Sequence, residues 1–253
     1  MDVIVLNDGL HSELGPSAAE KWMHCPGSVL ASRGVEGPQT EYAAEGVASH
    51  SLSEWAREQQ LPVANWKGVT IQVGEFSFKV GKAMIDGVQT FVDACAREPG
   101  DPYYEVMVHY EPWVPGGFGT ADDIRIADGL CTVTDLKFGR GVKVFAKDNA
   151  QLKLYALGAF LTYGWMYEFD KFVLKINQPR LHHFEEFRLS LGELMQWAYD
   201  EVRPAAKLAL TPQAPLRAGN WCKFCKIKEG CPVRAKWKIM QSTGSADEYT
   251  SLD

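Results

Sequence analysis

The sequence has no uninterrupted apolar run near the roughly 18 residues a membrane helix requires, although 46% of its 253 residues are hydrophobic. Its start, MDVIVLNDGLHSELG, carries acids where a secretory signal carries basic residues. Both absences lead to an expected cytoplasmic location. No G-x-x-x-x-G-K-[ST] stretch occurs, so the chain brings no P-loop motor of its own. Internal repeats are absent too. Basic residues are not in excess: the formal net charge is −6, which excludes a general nucleic-acid coating protein but leaves room for a local path, because carboxylates gathered around a metal add to the acidic sum. Cysteines number only six, and in a reducing compartment they are metal ligands or buried thiols rather than disulfides. What remains is enough for one core with appendages.

Ser17 and Glu20 form a capping-box pattern that opens a short helix ending at Cys25, where Pro26 and Gly27 break it. Further helices are expected over 41–59 and 78–97, by apolar spacing of three to four. Residues 103–110 alternate as a strand, and 118–137 read as a hairpin around Asp128-Gly129. A helix over 149–163, strands over 171–177 and 183–189 and a helix over 191–210 complete an α/β pattern: a mixed sheet flanked by helices. The expected division is an N-terminal segment 1–40 with one cysteine, a core 41–210, a three-cysteine segment 211–240 and a flexible tail 241–253.

With Asp128-Gly129 as a two-residue loop, Ala127 lies opposite Leu130 and, counting outward, Asp122 opposite Asp135. The same face carries Ile124, Ile126, Cys131 and Val133, so two like charges end an apolar stripe and require neutralisation. A divalent cation would supply it, and Lys137, two residues beyond Asp135, shares that face. A pair of strand-end acids with Lys137 as counter-ion fits the same pattern, and a one-residue slip would separate the two acids.

Gly119-Thr120-Ala121-Asp122, then Asp135-Leu136-Lys137, then Gln151 with Tyr155 four residues on, resemble the G-x-x-D, D-x-K and Q-x-x-x-Y series of RecB-type PD-(D/E)XK nucleases, in the same order. His50, in the stretch Glu45 to His50 with Glu54 following, resembles that family's first motif. The resemblance implies a restriction-endonuclease-like core. It also implies Mg²⁺ or Mn²⁺ held by His50, Asp122, Asp135 and the Leu136 carbonyl, with Lys137 assisting the nucleophile and Gln151 and Tyr155 completing the catalytic set. Each member has a plainer reading. His50 suits a packed or surface position, Gln151 a capping box with Asp148, and Tyr155 the core. Glu105, one acid among alternating apolar residues, would be a further acid near the site.

Cys222, Cys225 and Cys231 follow C-x2-C-x5-C, with the fourth ligand remote. Structural zinc usually takes two close pairs, whereas iron-sulphur clusters commonly take one distant ligand. The arrangement resembles the cluster-bearing RecB-like nucleases, AddB and the CRISPR-associated exonucleases among them, and single-domain phage and prophage proteins of that group. Cys25 takes that group's upstream cysteine place, so the resemblance implies a 4Fe-4S cluster on Cys25, Cys222, Cys225 and Cys231, with zinc as the alternative. Cys95 and Cys131 read as buried thiols. Trp221 and Phe224 among Lys223, Lys226 and Lys228 fit either a strand-binding patch or packing around the cluster.

The expectation is a metal-dependent DNA exonuclease resecting single-stranded or duplex ends for phage recombination or replication. It would work in a host cytoplasm, beside a single-strand annealing protein or recombinase. The alternative is a non-catalytic DNA-binding or assembly module of the same fold.

Overall fold

A computed structural model describes residues 3–6, 12–37 and 39–243. Its centre is a five-stranded sheet of β4 (Asp101–His109), β5 (Phe118–Ala127), β6 (Gly129–Leu136), β7 (Phe169–Gln178) and β8 (His183–Ser190), in that order. Neighbours are antiparallel except β6 and β7, which run parallel. A parallel pair needs a crossover, and α5 (Ala150–Tyr163) provides it.

On one face α5 packs with α1 (Ala19–His24), α6 (Leu191–Trp197) and α7 (Arg203–Ala209), enclosing Ile124, Ile126, Cys131 and Val133. Leu152, Leu154, Ala156 and Leu157 are all fully buried there, each leucine contributing on the order of 2 kcal/mol of apolar burial. Gly158 lets α5 approach this closely, since a Cβ there would collide with Val108. The opposite face is covered by α4 (Lys82–Ala96), whose Phe91 and Cys95 meet Leu136. Beside α4 lie α3 (Glu41–Glu58) and a small sheet of β1 (Val3–Leu6), β2 (Thr70–Val73) and β3 (Phe76–Lys79). The chain is therefore a mixed α/β fold, with mixed sheets flanked by helices. Among the described residues, no helix is long and apolar enough to cross a membrane.

Several expected elements are redrawn. The helix expected from Phe78 starts at Lys82, because Phe76 and Phe78 alternate with Ser77 and Lys79 and pair with β2. The helix ending at Cys25 is present, but Ser17 gives no side-chain cap; a 3₁₀ turn beginning at Pro16 leads into it instead. Short α2 (Ser28–Ala31) follows Cys25. The helix expected over 191–210 is interrupted by a π-helical stretch, Ala198–Val202. An unforeseen α8 (Pro232–Thr243) follows the last cysteine and buries none of its residues. It takes in the first residues of the expected flexible tail; 244–253 lie outside the described residues.

Candidate metal centre

The hairpin has the register its turn dictates: Ala127 pairs with Leu130 and the ladder runs to Asp123 opposite Thr134. Gly129 takes φ 72° in that turn, a conformation costly for residues with a Cβ. Pairing stops one step short of Asp122 and Asp135, while on its other edge β6 continues its ladder with β7 up to Leu136 opposite Asn177. The freed Leu136 N–H donates to Asp122 Oδ2 at 2.6 Å. A carboxylate thus takes the place of the next backbone carbonyl, and this fixes it at the sheet's opening end.

Every residue of the motif series meets here. His50, on α3, lies 3.1 Å through Nδ1 from Asp122 Oδ1. Lys137 Nζ donates to Asp135 Oδ1 at 3.1 Å and to Gln151 Oε1 at 2.9 Å. Gln151 Nε2 in turn donates to Asp135 Oδ1 at 2.9 Å and to the Tyr155 hydroxyl at 3.2 Å. The helix cap expected from Asp148 and Gln151 is instead made by Asn149, whose side chain accepts from Leu152 N. Gln151 is thereby free to face the acids. Gly119 is needed because a Cβ there would strike the Pro16 ring and press on Tyr155.

Glu105, only weakly signalled in sequence, is the added member. Its φ is 43°, between Tyr104 opposite Asp123 and Val106 opposite Ala121, and its own pairing is broken. Its carboxylate lies 4.0 Å from His50 Nδ1. His50, Glu105 and Asp122 offer ligand atoms all within 4.8 Å of one another. Arg57, two turns after His50, reaches Glu105 at 3.4 Å and Asp123 at 3.2 Å. Arg125 reaches Asp123 at 3.2 Å. Asp123, on the other face of β5, is a buried counter-ion for two arginines, whereas Asp122 has no arginine.

The electrostatics show an excess of acid. For Asp122, burial opposes ionisation, but the charge and hydrogen bond of His50, then Lys137 and the Leu136 N–H, hold its carboxyl below the usual range. Asp135 is pushed up by burial and by the charge of Asp122, with Lys137 compensating only in part. Burial and Asp122 also push Glu105 up, to about 8. His50 is disfavoured as a cation by burial, yet Asp122 and the neighbouring acids raise it to about 9. Tyr155 is held well above its ordinary value by burial and by both aspartates, so it stays a hydroxyl donor. Asp135 Oδ2 is buried without a hydrogen bond, although Lys137 Nζ stands 2.8 Å away. The donor set fits a hard divalent cation.

The chain ends meet elsewhere. Cys25, Cys222, Cys225 and Cys231 line one small cavity, with Lys21, Arg217 and Arg234 around it. Arg217 N–H donates to Cys25 Sγ at 3.2 Å, and Gly27 N–H to Pro215 O at 2.9 Å. Trp221 stacks on His24 with centroids 4.6 Å apart, which joins the ends by packing. Phe224 is 78% exposed, with Lys223 over its ring. Lys226 instead lines a cavity of about 700 Å³ that reaches Tyr155 and Thr120. Burial pushes the Cys25 thiol up, and the neighbouring Cys222 and Cys225 add to this. Cys95 and Cys131 are buried singly in the core, as expected.

A solved structure described as "Crystal structure of SSO0001" is 17% identical to this chain, with 90% of each chain covered, at a TM-score of 0.41. Residues 11–252 match the model of a family described as "Protein of unknown function (DUF2800)", and the chain belongs to that family.

Proposed function

We propose that this protein is a divalent-metal-dependent DNA nuclease of the PD-(D/E)XK type. The observation that carries the reading is the single hydrogen-bonded chain Lys137–Asp135–Gln151–Tyr155 beside the His50–Asp122 pair. Residues far apart in sequence, resembling the nuclease motif series, converge on one partly open corner of the sheet.

His50, Asp122 and Asp135 would hold the cation, with Glu105 within reach of the same place. The bound cation would acidify a water and polarise a phosphoryl oxygen. The chain's own groups do the positioning. Lys137, pinned by Asp135 and Gln151, points an ammonium at the place where phosphate charge builds up. Gln151 fixes Lys137 and the Tyr155 hydroxyl together, so losing it loosens two donors at once. Arg57 holds Asp123 away on the opposite face and leaves Asp122 to the metal.

For the cysteines we propose a structural 4Fe-4S cluster. Their thiols share one cavity, and burial disfavours a bare thiolate at Cys25. Three cysteines close in sequence with one remote partner match clusters that take a distant ligand, whereas structural zinc usually takes two close pairs.

The test is cleavage of end-labelled single- and double-stranded DNA with Mg²⁺ or Mn²⁺ by protein purified without oxygen. Wild type is expected to cut and Asp135→Asn to lose at least a thousandfold in rate, by analogy with units that fail together. A wild type that binds DNA but never cuts would support the binding-module alternative.

A further inference from the structure

We propose that the loop between Lys137 and Gln151 is a binding surface for a single DNA strand, with Phe145 as a base-stacking platform; this rests on the nuclease reading and names the strand that site receives. Between Leu136 and Asp148 the sequence has no acid but has Lys137, Arg140, Lys143 and Lys147. That local excess stands out in a chain whose net charge is −6. Asp148, which ends the run, is taken up by Lys153 at 3.2 Å.

The loop's two feet are the site itself, since Lys137 Nζ and Gln151 Oε1 are 2.9 Å apart. Whatever this loop holds is therefore delivered to the candidate metal centre. Its shape is set from below. Buried Gln178 donates to Val142 O at 2.7 Å and accepts from Val144 N at 3.1 Å. His183 donates through Nε2 to Val144 O at 2.8 Å, and Asn149 Nδ2 to Phe145 O at 2.9 Å. With its backbone tied down, the loop turns Arg140, Lys143 and Lys147 outward. Phe145 remains 58% exposed, its ring set edge-on to His183 at 5.5 Å and 77°.

An exposed aromatic beside unpaired cations suits a phosphodiester chain with splayed bases, because phosphates meet the cations and any base can stack on the ring. A duplex, whose bases are already stacked, gains only the charge contacts.

The experiment is fluorescence anisotropy with the intact protein, Ca²⁺ in place of the catalytic ion, and a mixed-sequence 20-mer as single strand and as duplex, over a series of salt concentrations. Phe145→Ala is expected to weaken single-strand binding about tenfold and leave duplex binding unchanged. The triple variant Arg140→Gln/Lys143→Gln/Lys147→Gln should flatten the single-strand salt slope by about 2, from about 0.7 per phosphate contact. Equal loss on both substrates in Phe145→Ala overturns the stacking platform. An unchanged slope in the triple variant overturns the loop as the strand's seat, as does a wild type that binds no single strand. Cleavage by wild type with Mn²⁺ is scored separately. A protein that shows loop-dependent binding but no cutting sinks the nuclease reading alone, and one that cuts with loop-independent binding sinks this inference alone.

Discussion

The carboxylate cluster around Asp122 is bound by hydrogen bonds among its own side chains, whereas at the cysteine cavity Cys25 Sγ is met by backbone N–H groups, those of Arg217 and Ser28. In the first, strand register, α3 and α5 place the groups, and His50 and Lys137 partly neutralise the acids. In the second, ligands from the N- and C-terminal parts of the chain come together across the Trp221–His24 stack, the Gly27–Pro215 backbone bond and the close packing of Gly27 on Ala214 and Pro215. Metal should thus be a tenant at the carboxylates and a structural member at the cysteines.

The largest effect should follow from breaking the cysteine side. Cys25→Ser and Cys222→Ser should each lower stability by on the order of 5 kcal/mol, the scale of a covalent link closing so long a loop. Anaerobic purification, iron content and thermal melting measure this. A Cys25→Ser protein with full iron and an unchanged melting curve would remove the staple from the account.

Next comes the face of β5 turned away from the site. Asp123→Asn leaves Arg125 without its buried counter-ion and Arg57 with Glu105 alone, and a loss of about 3 kcal/mol is expected in denaturant unfolding. Asp122→Asn, one residue away, gives up the pairing with His50 that holds its carboxyl ionised but strands no arginine, so it should lose less stability than Asp123→Asn in metal-free buffer. If the two variants were equally destabilised, the division of labour between the two faces would be wrong.

The hairpin was legible in the sequence because a two-residue turn fixes its register from Ala127–Leu130 out to Asp123–Thr134; the expected facing of Asp122 and Asp135 falls one step past that paired ladder. Glu105 was only half legible: its place depends on how β4 registers against β5 and on a left-handed φ that no spacing announces. Arg57 carried a readable signal, two helical turns after His50, but Asp123 as its partner required knowing that both faces of β5 are covered. The small sheet escaped because β2 and β3 are four residues each, too short for alternation to outweigh the helical pattern that follows. The C-x2-C-x5-C spacing grouped Cys222, Cys225 and Cys231, the family resemblance added Cys25, and all four line one cavity.

A smaller effect should appear in pH. In metal-free protein His50 is raised to about 9 and Glu105 to about 8, so the folded state holds protons that the unfolded state gives up at lower pH. Stability should therefore fall as pH rises from about 5 to 9, the His50 share being complete below about 6.5 and gone above 9. Mn²⁺ should flatten that decline by replacing the protons. Melting curves from pH 5 to 9 with chelator and with Mn²⁺ test it; parallel curves would mean the ion binds elsewhere.

Everything functional rests on the carboxylate cluster being a cation site, and the most direct measurement is a Mn²⁺ titration followed by electron paramagnetic resonance, comparing wild type with Asp122→Asn. The account predicts a bound ion in wild type and an affinity at least tenfold weaker in the variant, with folding intact. Equal Mn²⁺ binding by the two proteins would contradict it.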